Sequence, residues 1–156
     1  MQKLNPETGA FIERMGLLFE RIGTSRTFGR LFGLLLVADE PLSLNEMTEL
    51  LHVSKASIST NTRLCEQIGL AQRVSVPGDR RTYYEMLPGS FGHVFEVRLA
   101  LIHEMVHLAE EGLKAVETDN ALALKRLKEM HDFYEFIGSE MRAMLARWRA
   151  QQGDNR

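Results

Sequence analysis

At 156 residues, with 44% hydrophobic and 26% charged side chains, the chain falls in the size range of one cored globular domain with helical extensions. Its longest apolar run, Leu34-Leu35-Leu36-Val37-Ala38, is far short of the ~20 residues a membrane-spanning helix needs. The N-terminus lacks a secretory-signal pattern, so the expectation is a cytoplasmic chain with no membrane partner. A net charge of −2 and the lone Cys65 argue against indiscriminate nucleic-acid binding and exclude an internal disulfide framework.

The charge is unevenly spread. Residues 52–84 carry Lys55, Arg63, Arg73, Arg80 and Arg81 against Glu66 and Asp79, whereas residues 89–156 hold nine basic and eleven acidic side chains. Any nucleic-acid face therefore belongs to the middle of the chain.

In chain order, Phe11, Met15, Leu18, Phe19 and Ile22 recur at helical spacing up to Gly23, which predicts an amphipathic helix. Ser25 can cap a second helix through Phe28, Leu31, Phe32 and Leu35, ended by Asp39-Glu40-Pro41. Ser43-Leu44-Asn45-Glu46 has the form of a capping box and opens a short helix with Met47, Leu50 and Leu51. After His52-Val53, Ser54 caps a further helix running to about Ile68, stopped by Gly69. Two helices so closely joined make a helix-turn-helix. The period then changes to two: Val74 and Val76 alternate with polar residues, Pro77-Gly78-Asp79 turns the chain, and residues 82–87 return as an aromatic-rich strand. Two long helices follow, from about Ser90 to Val116 and from about Asn120 to Arg149. Their apolar stripes exceed what a small domain can cover, so a second subunit is expected.

The expected fold is mainly α: a winged helix-turn-helix with a two-stranded β wing and dimerisation helices at both ends. The expected divisions are an N-terminal dimerisation helix over 1–24, a DNA-binding domain over 25–88 and a C-terminal helical dimerisation region over 89–156.

On a helical wheel, the helix after Ser54 turns Ile58, Cys65 and Ile68 inward, with Asn61 and Leu64 nearby. Lys55, Ala56, Ser59, Thr60, Arg63 and Gln67 face outward. This small, hydroxylic and basic face suits close approach to a major groove, where hydroxyls meet base edges and Arg bonds guanine bidentately. Ser54, Ser57 and the helix N-terminus can hold phosphate. Arg80 and Arg81 project from the hairpin tip, where arginine can enter a narrow minor groove, and Asp79 would orient one of them.

The segment from Ser54 to Met86 contains Ser-Lys-x-Ser-Ile-Ser, then Gly-Leu, then Pro-Gly-Asp-Arg-Arg-x-Tyr-Tyr. It resembles the GbsR branch of the MarR superfamily of repressors, whose wing motif the Asp79-x-Arg81 pair matches. The resemblance implies a homodimer on a pseudo-palindromic double-stranded DNA operator, acting as a transcriptional repressor. Some members of that branch are linked to choline and glycine betaine metabolism.

Three other features compete for attention. His103-Glu104-Met105-Val106-His107 fits the H-E-x-x-H pattern, with two histidines one helical turn apart that could bind zinc as a metal sensor or hydrolase site. Such an enzyme also needs a third ligand and an edge strand for substrate, and the only expected strands form the wing. The aromatics Phe91, Phe95, Phe133, Tyr134, Phe136 and Trp148 could cage a quaternary ammonium effector, although their helical spacing also suits a core. Cys65, among apolar neighbours, reads as packing rather than a redox sensor. There is no phosphate-binding glycine loop and no Ser/His/Asp triad, so the expectation is a non-enzyme with no cofactor.

Overall fold

The computed structural model describes residues 4–153. The first three residues of the expected N-terminal region and the last three of the C-terminal region lie outside the described residues. The described chain divides into two compact units, one ending at Ser90 and the other beginning at Phe91.

In the first unit, Asn5 caps α1 (Pro6–Arg21) by accepting from the Thr8 amide at 2.7 Å. Pro6 starts the helix where its missing N–H leaves nothing unpaired. Ser25 does the same for α2 (Arg26–Val37), accepting from the Phe28 amide at 3.0 Å. α2 is the central element, burying Phe28, Leu31, Phe32, Leu34 and Leu35. Phe19 of α1 packs on it through two ring contacts, tilted at 5.2 Å from Phe28 and edge to face at 5.6 Å from Phe32. The helices approach closely because glycines face each other: a Cβ on Gly29 would lie 2.5 Å from the Met15 carbonyl oxygen and 2.9 Å from the Gly16 Cα.

β1 (Leu42–Ser43) leads into α3 (Leu44–Leu51), whose capping box is complete. The Glu46 carboxylate accepts from the Ser43 amide at 2.7 Å and the Ser43 hydroxyl at 2.6 Å. These bonds hold its pKa below the usual carboxylate range, the Ser43 hydroxyl contributing most. α3 ends at His52, a non-glycine residue with φ 52°. After that tight turn, Ser54 caps α4 (Lys55–Gln67) through the Ser57 amide at 3.3 Å. Gly69, with φ 74°, supplies the left-handed exit.

β2 (Ala71–Val74) and β3 (Tyr83–Met86) pair antiparallel, with Ala71 opposite Met86 and Val74 opposite Tyr83. The wing is not a two-stranded ribbon alone. β1 joins the other edge of β3, Leu42 facing Tyr84, so the sheet has three strands in the order β1-β3-β2. Val76 lies beyond the end of β2, because the chain leaves the ladder at Val74 and forms a longer connecting loop. At its tip the Asp79 amide donates to the Val76 carbonyl at 3.1 Å, with Pro77 followed by Gly78 at φ 83°. Proline and then a positive-φ glycine is the order a type II turn requires.

The second unit is a helical pair, α5 (Ser90–Ala115) and α6 (Ala121–Gly153), with Asn120 capping α6 through the Ala123 amide at 3.1 Å. At 26 and 33 residues they extend about 39 Å and 50 Å. Gly112 and Gly138 let Leu127 and Ile102 of the opposite helix come close. Yet few side chains are shut off from water: Leu101 is 57% exposed, Leu122 58%, Phe133 56% and Phe136 61%. No helix among the described residues is long and apolar enough to cross a membrane.

Two glycines separate helix propensity from packing. Gly29→Ala should cost about 1–3 kcal/mol by overpacking α1 against α2. Gly9→Ala, whose Cβ would meet nothing within 4 Å, should gain up to about 1 kcal/mol from better helix propensity. Thermal denaturation of the two variants should shift in opposite directions, and equal shifts would contradict the close glycine contact.

Candidate nucleic-acid interface

α4 is held by one face. Ile58, Asn61, Thr62 and Cys65 are buried, while Lys55, Thr60 and Arg63 are exposed and Ser57 and Ser59 lie between. One position is not placed by the wheel and one departs from it. Thr62 is fully buried, because its hydroxyl donates to the Ile58 carbonyl at 2.7 Å and so loses no hydrogen bond on leaving water. Leu64, expected near the inward face, is instead 37% exposed. Burial pushes the Cys65 thiol up to about 12, so it stays a protonated, unreactive packing group at neutral pH.

The outward face is partly pre-arranged. Arg63 Nη2 donates to Ser59 Oγ at 3.2 Å, and the Thr60 hydroxyl donates to the Ala56 carbonyl at 3.0 Å, leaving the hydroxyl oxygen to accept. Ser54 sits exposed at the cap, and among the described residues no carboxylate pairs with Lys55. Arg73 leans toward the Tyr84 ring, 5.7 Å from its centroid, and pairs with Glu66 at 2.8 Å.

In the wing, Asp79 Oδ2 accepts from Arg81 Nη2 at 2.7 Å, from Arg81 Nε at 2.9 Å and from the Tyr83 hydroxyl at 2.8 Å. Its other oxygen accepts from the Arg81 amide at 2.8 Å. The Arg81 guanidinium and these bonds hold the Asp79 carboxyl well below the usual range. The guanidinium also stands over the Tyr83 ring, 5.2 Å from its centroid. Arg80, its neighbour, is exposed and has no ion-pair partner among the described residues.

The fold brings part of this set together in a notch of about 200 Å³ lined by Ser43, Leu44, Asn45, Lys55, Arg81 and Thr82. The notch joins the start of α3, the start of α4 and the wing, so Lys55 and Arg81 share one concavity although they lie far apart in sequence. Asn45 and Thr82 were not singled out from the sequence. The signal that would have found them is the pairing of β1 with β3, which draws the start of α3 against the wing.

The histidine pattern on α5 does not assemble a site. His103 faces Arg142 of α6, and His107 lies 3.6 Å from Glu110 and 3.4 Å from Glu111. Among the described residues no three His, Cys, Asp or Glu side chains are placed to hold a metal ion. Of the six aromatics, Phe91, Phe95 and Trp148 line an apolar hollow of about 240 Å³ with Gly92, Met144 and Leu145. Phe133 and Tyr134 instead stack edge to face at 5.4 Å, and Phe136 is 61% exposed.

Comparison with known proteins agrees with this geometry. Residues 89–151 match the model of MmpR5-like MarR family transcriptional regulators. The chain is 35% identical over 151 residues to the HTH-type transcriptional regulator MmpR5 of Mycobacterium tuberculosis (strain ATCC 25618 / H37Rv), covering 96% of this chain and 92% of that protein. It is 27% identical over 144 residues to the putative HTH-type transcriptional regulator YvaV of Bacillus subtilis (strain 168), covering 81% of each. A crystal structure of a transcriptional regulator superposes with a TM-score of 0.85 at 36% identity, covering 93% of this chain and 99% of that one. The family model matches the long C-terminal helices, and the relative from Mycobacterium tuberculosis spans nearly the whole chain, its helix-turn-helix and wing included: the chain belongs to the MmpR5-like MarR family of transcriptional regulators.

Proposed function

We propose that the chain is a homodimeric repressor that occupies a pseudo-palindromic operator, reading bases with α4 and gripping the flanking backbone or minor groove with the wing. The observation that carries this reading is the shared notch: Lys55 at the start of α4 and Arg81 of the wing line one concavity, as two elements meeting one duplex must. Arg63, Ser59 and Thr60 supply base-edge contacts, Ser54, Lys55 and Ser57 hold phosphate, and Arg80 brings a cation unshared with any carboxylate among the described residues. Asp79 sets the direction of Arg81.

The homodimer reading rests on the second unit, whose exposed Leu101, Leu122, Phe133 and Phe136 form more apolar surface than an isolated helical pair keeps in water. A two-fold protein also matches a two-fold operator. In this reading residues 1–24 and 89–156 serve dimerisation and 25–88 serve DNA. The GbsR-like placement rests on the Ser54–Met86 motif, and a small-molecule effector is a further partner. DNA as the target puts the protein in the cytoplasm, acting by occupancy rather than catalysis.

Two arginines test the division of labour. Arg63→Ala should cost ~1–3 kcal/mol on the operator and less on random duplex, so that specificity falls. Arg81→Ala should weaken both duplexes more evenly and reduce the salt dependence by ~1 unit of log–log slope. Fluorescence-anisotropy titrations at several salt concentrations read both effects, and unchanged operator binding in both variants would rule out this face.

Asp79 gives a test with an unintuitive sign. On net charge alone, Asp79→Asn should tighten binding to a polyanion. Because the carboxylate fixes Arg81 through two guanidinium bonds and one backbone bond, the variant should instead bind the operator about 2–10-fold more weakly, as a charge-assisted anchor is lost. Tighter binding would show that Asp79 restrains the wing rather than arranging it.

A further inference from the structure

We propose that Asn61 is a positioning residue that fixes the rotation of the recognition helix α4 about its own axis, through a directional hydrogen bond to Ser25 at the start of α2. The inference rests on the reading of α4 as the element that meets bases. Asn61 lies on the inward face of α4, 8% exposed, beside Ile58, Thr62 and Cys65. Its Oδ1 accepts from the Ser25 hydroxyl at 2.8 Å, and its Nδ2 donates to the Ser57 carbonyl at 2.8 Å. The Ser25 hydroxyl simultaneously accepts from the Phe28 amide. Both ends of the amide are thus satisfied, and because the Ser57 carbonyl can only accept, the amide nitrogen must face it.

Apart from the Glu66–Arg73 ion pair at its C-terminal end, the rest of the α4 contact is apolar or internally bonded. Ile58 and Cys65 gain from burial without a directional bond, and Thr62 bonds within its own helix, so none of the three adds a directional bond to a neighbouring element. A helix turning by about 20° carries a side-chain end at ~6 Å radius through about 2 Å, beyond the tolerance of a hydrogen bond to a base. The Ser25–Asn61 bond is directional and spans 36 positions of sequence, linking α4 to the helix at the centre of the unit. A buried polar pair in an otherwise apolar contact sets register rather than adding net stability.

The test compares full-length Asn61→Leu, Ser25→Gly and Ser25→Thr with wild type. The probes are a duplex selected from a random library on wild-type protein and its shuffled counterpart. Glycine remains a serviceable N-cap, and threonine keeps both cap and hydroxyl. Asn61→Leu and Ser25→Gly should melt within a few degrees of wild type and bind the shuffled duplex within about twofold. Their affinity for the selected duplex should fall about tenfold, with Ser25→Thr keeping its preference. A merely structural role predicts parallel loss of melting temperature and of affinity on both duplexes, and that result overturns the proposal. So does full retention of preference in Asn61→Leu and Ser25→Gly. Should Asn61→Leu fail to fold, the serine pair decides: loss in glycine with retention in threonine supports the proposal, and equal behaviour overturns it. If wild type shows no preference for any selected duplex, the DNA reading fails first and takes this inference with it.

Discussion

Leu31 and Leu34 of α2 are shut off from water together with Ile12 of α1, Met47 and Leu51 of α3 and Ile58 of α4. Four helices therefore share one apolar centre, and the position of each is set by how it reaches α2. Glycines let α1 come close, which leaves room for a polar strut along the seam. Arg30 Nη2 donates to the Leu51 carbonyl at 2.8 Å, tying α2 to the end of α3 just before the His52 turn. Its Nε approaches Glu13 of α1 at 2.7 Å, an ionic contact whose angle does not make it a hydrogen bond. Glu13 also accepts from Arg26, and that bond is the main reason its carboxyl lies below the usual range. Acid would thus weaken this seam as pH falls from the ordinary carboxylate range through that depressed value, because the ionised carboxylate is the form the fold favours.

With its inner face committed to this centre, α4 does not depend on its outer face for helix stability. Ser57, Ser59 and Thr60 are indifferent helix formers, and an isolated peptide of this composition would be weakly helical. Tertiary burial of Ile58 and Cys65 makes the helix stable regardless. The wing solves a different problem: it places cations at the end of a loop without letting them wander. The Asp79 carboxylate and the Tyr83 ring hold Arg81, while Arg80 remains extended into solvent. A carboxylate-held arginine and an exposed one without an ion-pair partner among the described residues are thus adjacent.

Much of this was legible in the residues because helix ends are local chemistry. Ser25, Ser43 with Glu46, Ser54 and Asn120 cap where serine and asparagine before a periodic run imply a cap, and Gly69 exits with positive φ as a C-terminal glycine should. What could not be read depends on distant partners. β1 is only Leu42–Ser43, too short for alternation to register, and exists because β3 offers it an edge. The wheel leaves Thr62 unplaced and sets Leu64 near the inward face, because it ranks positions by hydropathy, whereas a hydroxyl bonded to its own helix is cheap to bury. The Ser25–Asn61 bond and the shared notch join residues whose proximity follows only from the assembled fold. The H-E-x-x-H spacing shows the converse: the local pattern is present, yet the surroundings of His103 and His107 turn them to Arg142 and to neighbouring glutamates.

The central claim is that two copies of α4 enter successive major grooves on one side of a duplex. Methylation of guanine N7 blocks the major-groove edge without altering the phosphates, so interference mapping with dimethyl sulfate on an operator recovered from genomic fragments addresses it most directly. The account predicts two clusters of interfering guanines related by a two-fold axis, with centres ~10 base pairs or a multiple apart. Binding indifferent to N7 methylation, or a single unsymmetrical cluster, would contradict it.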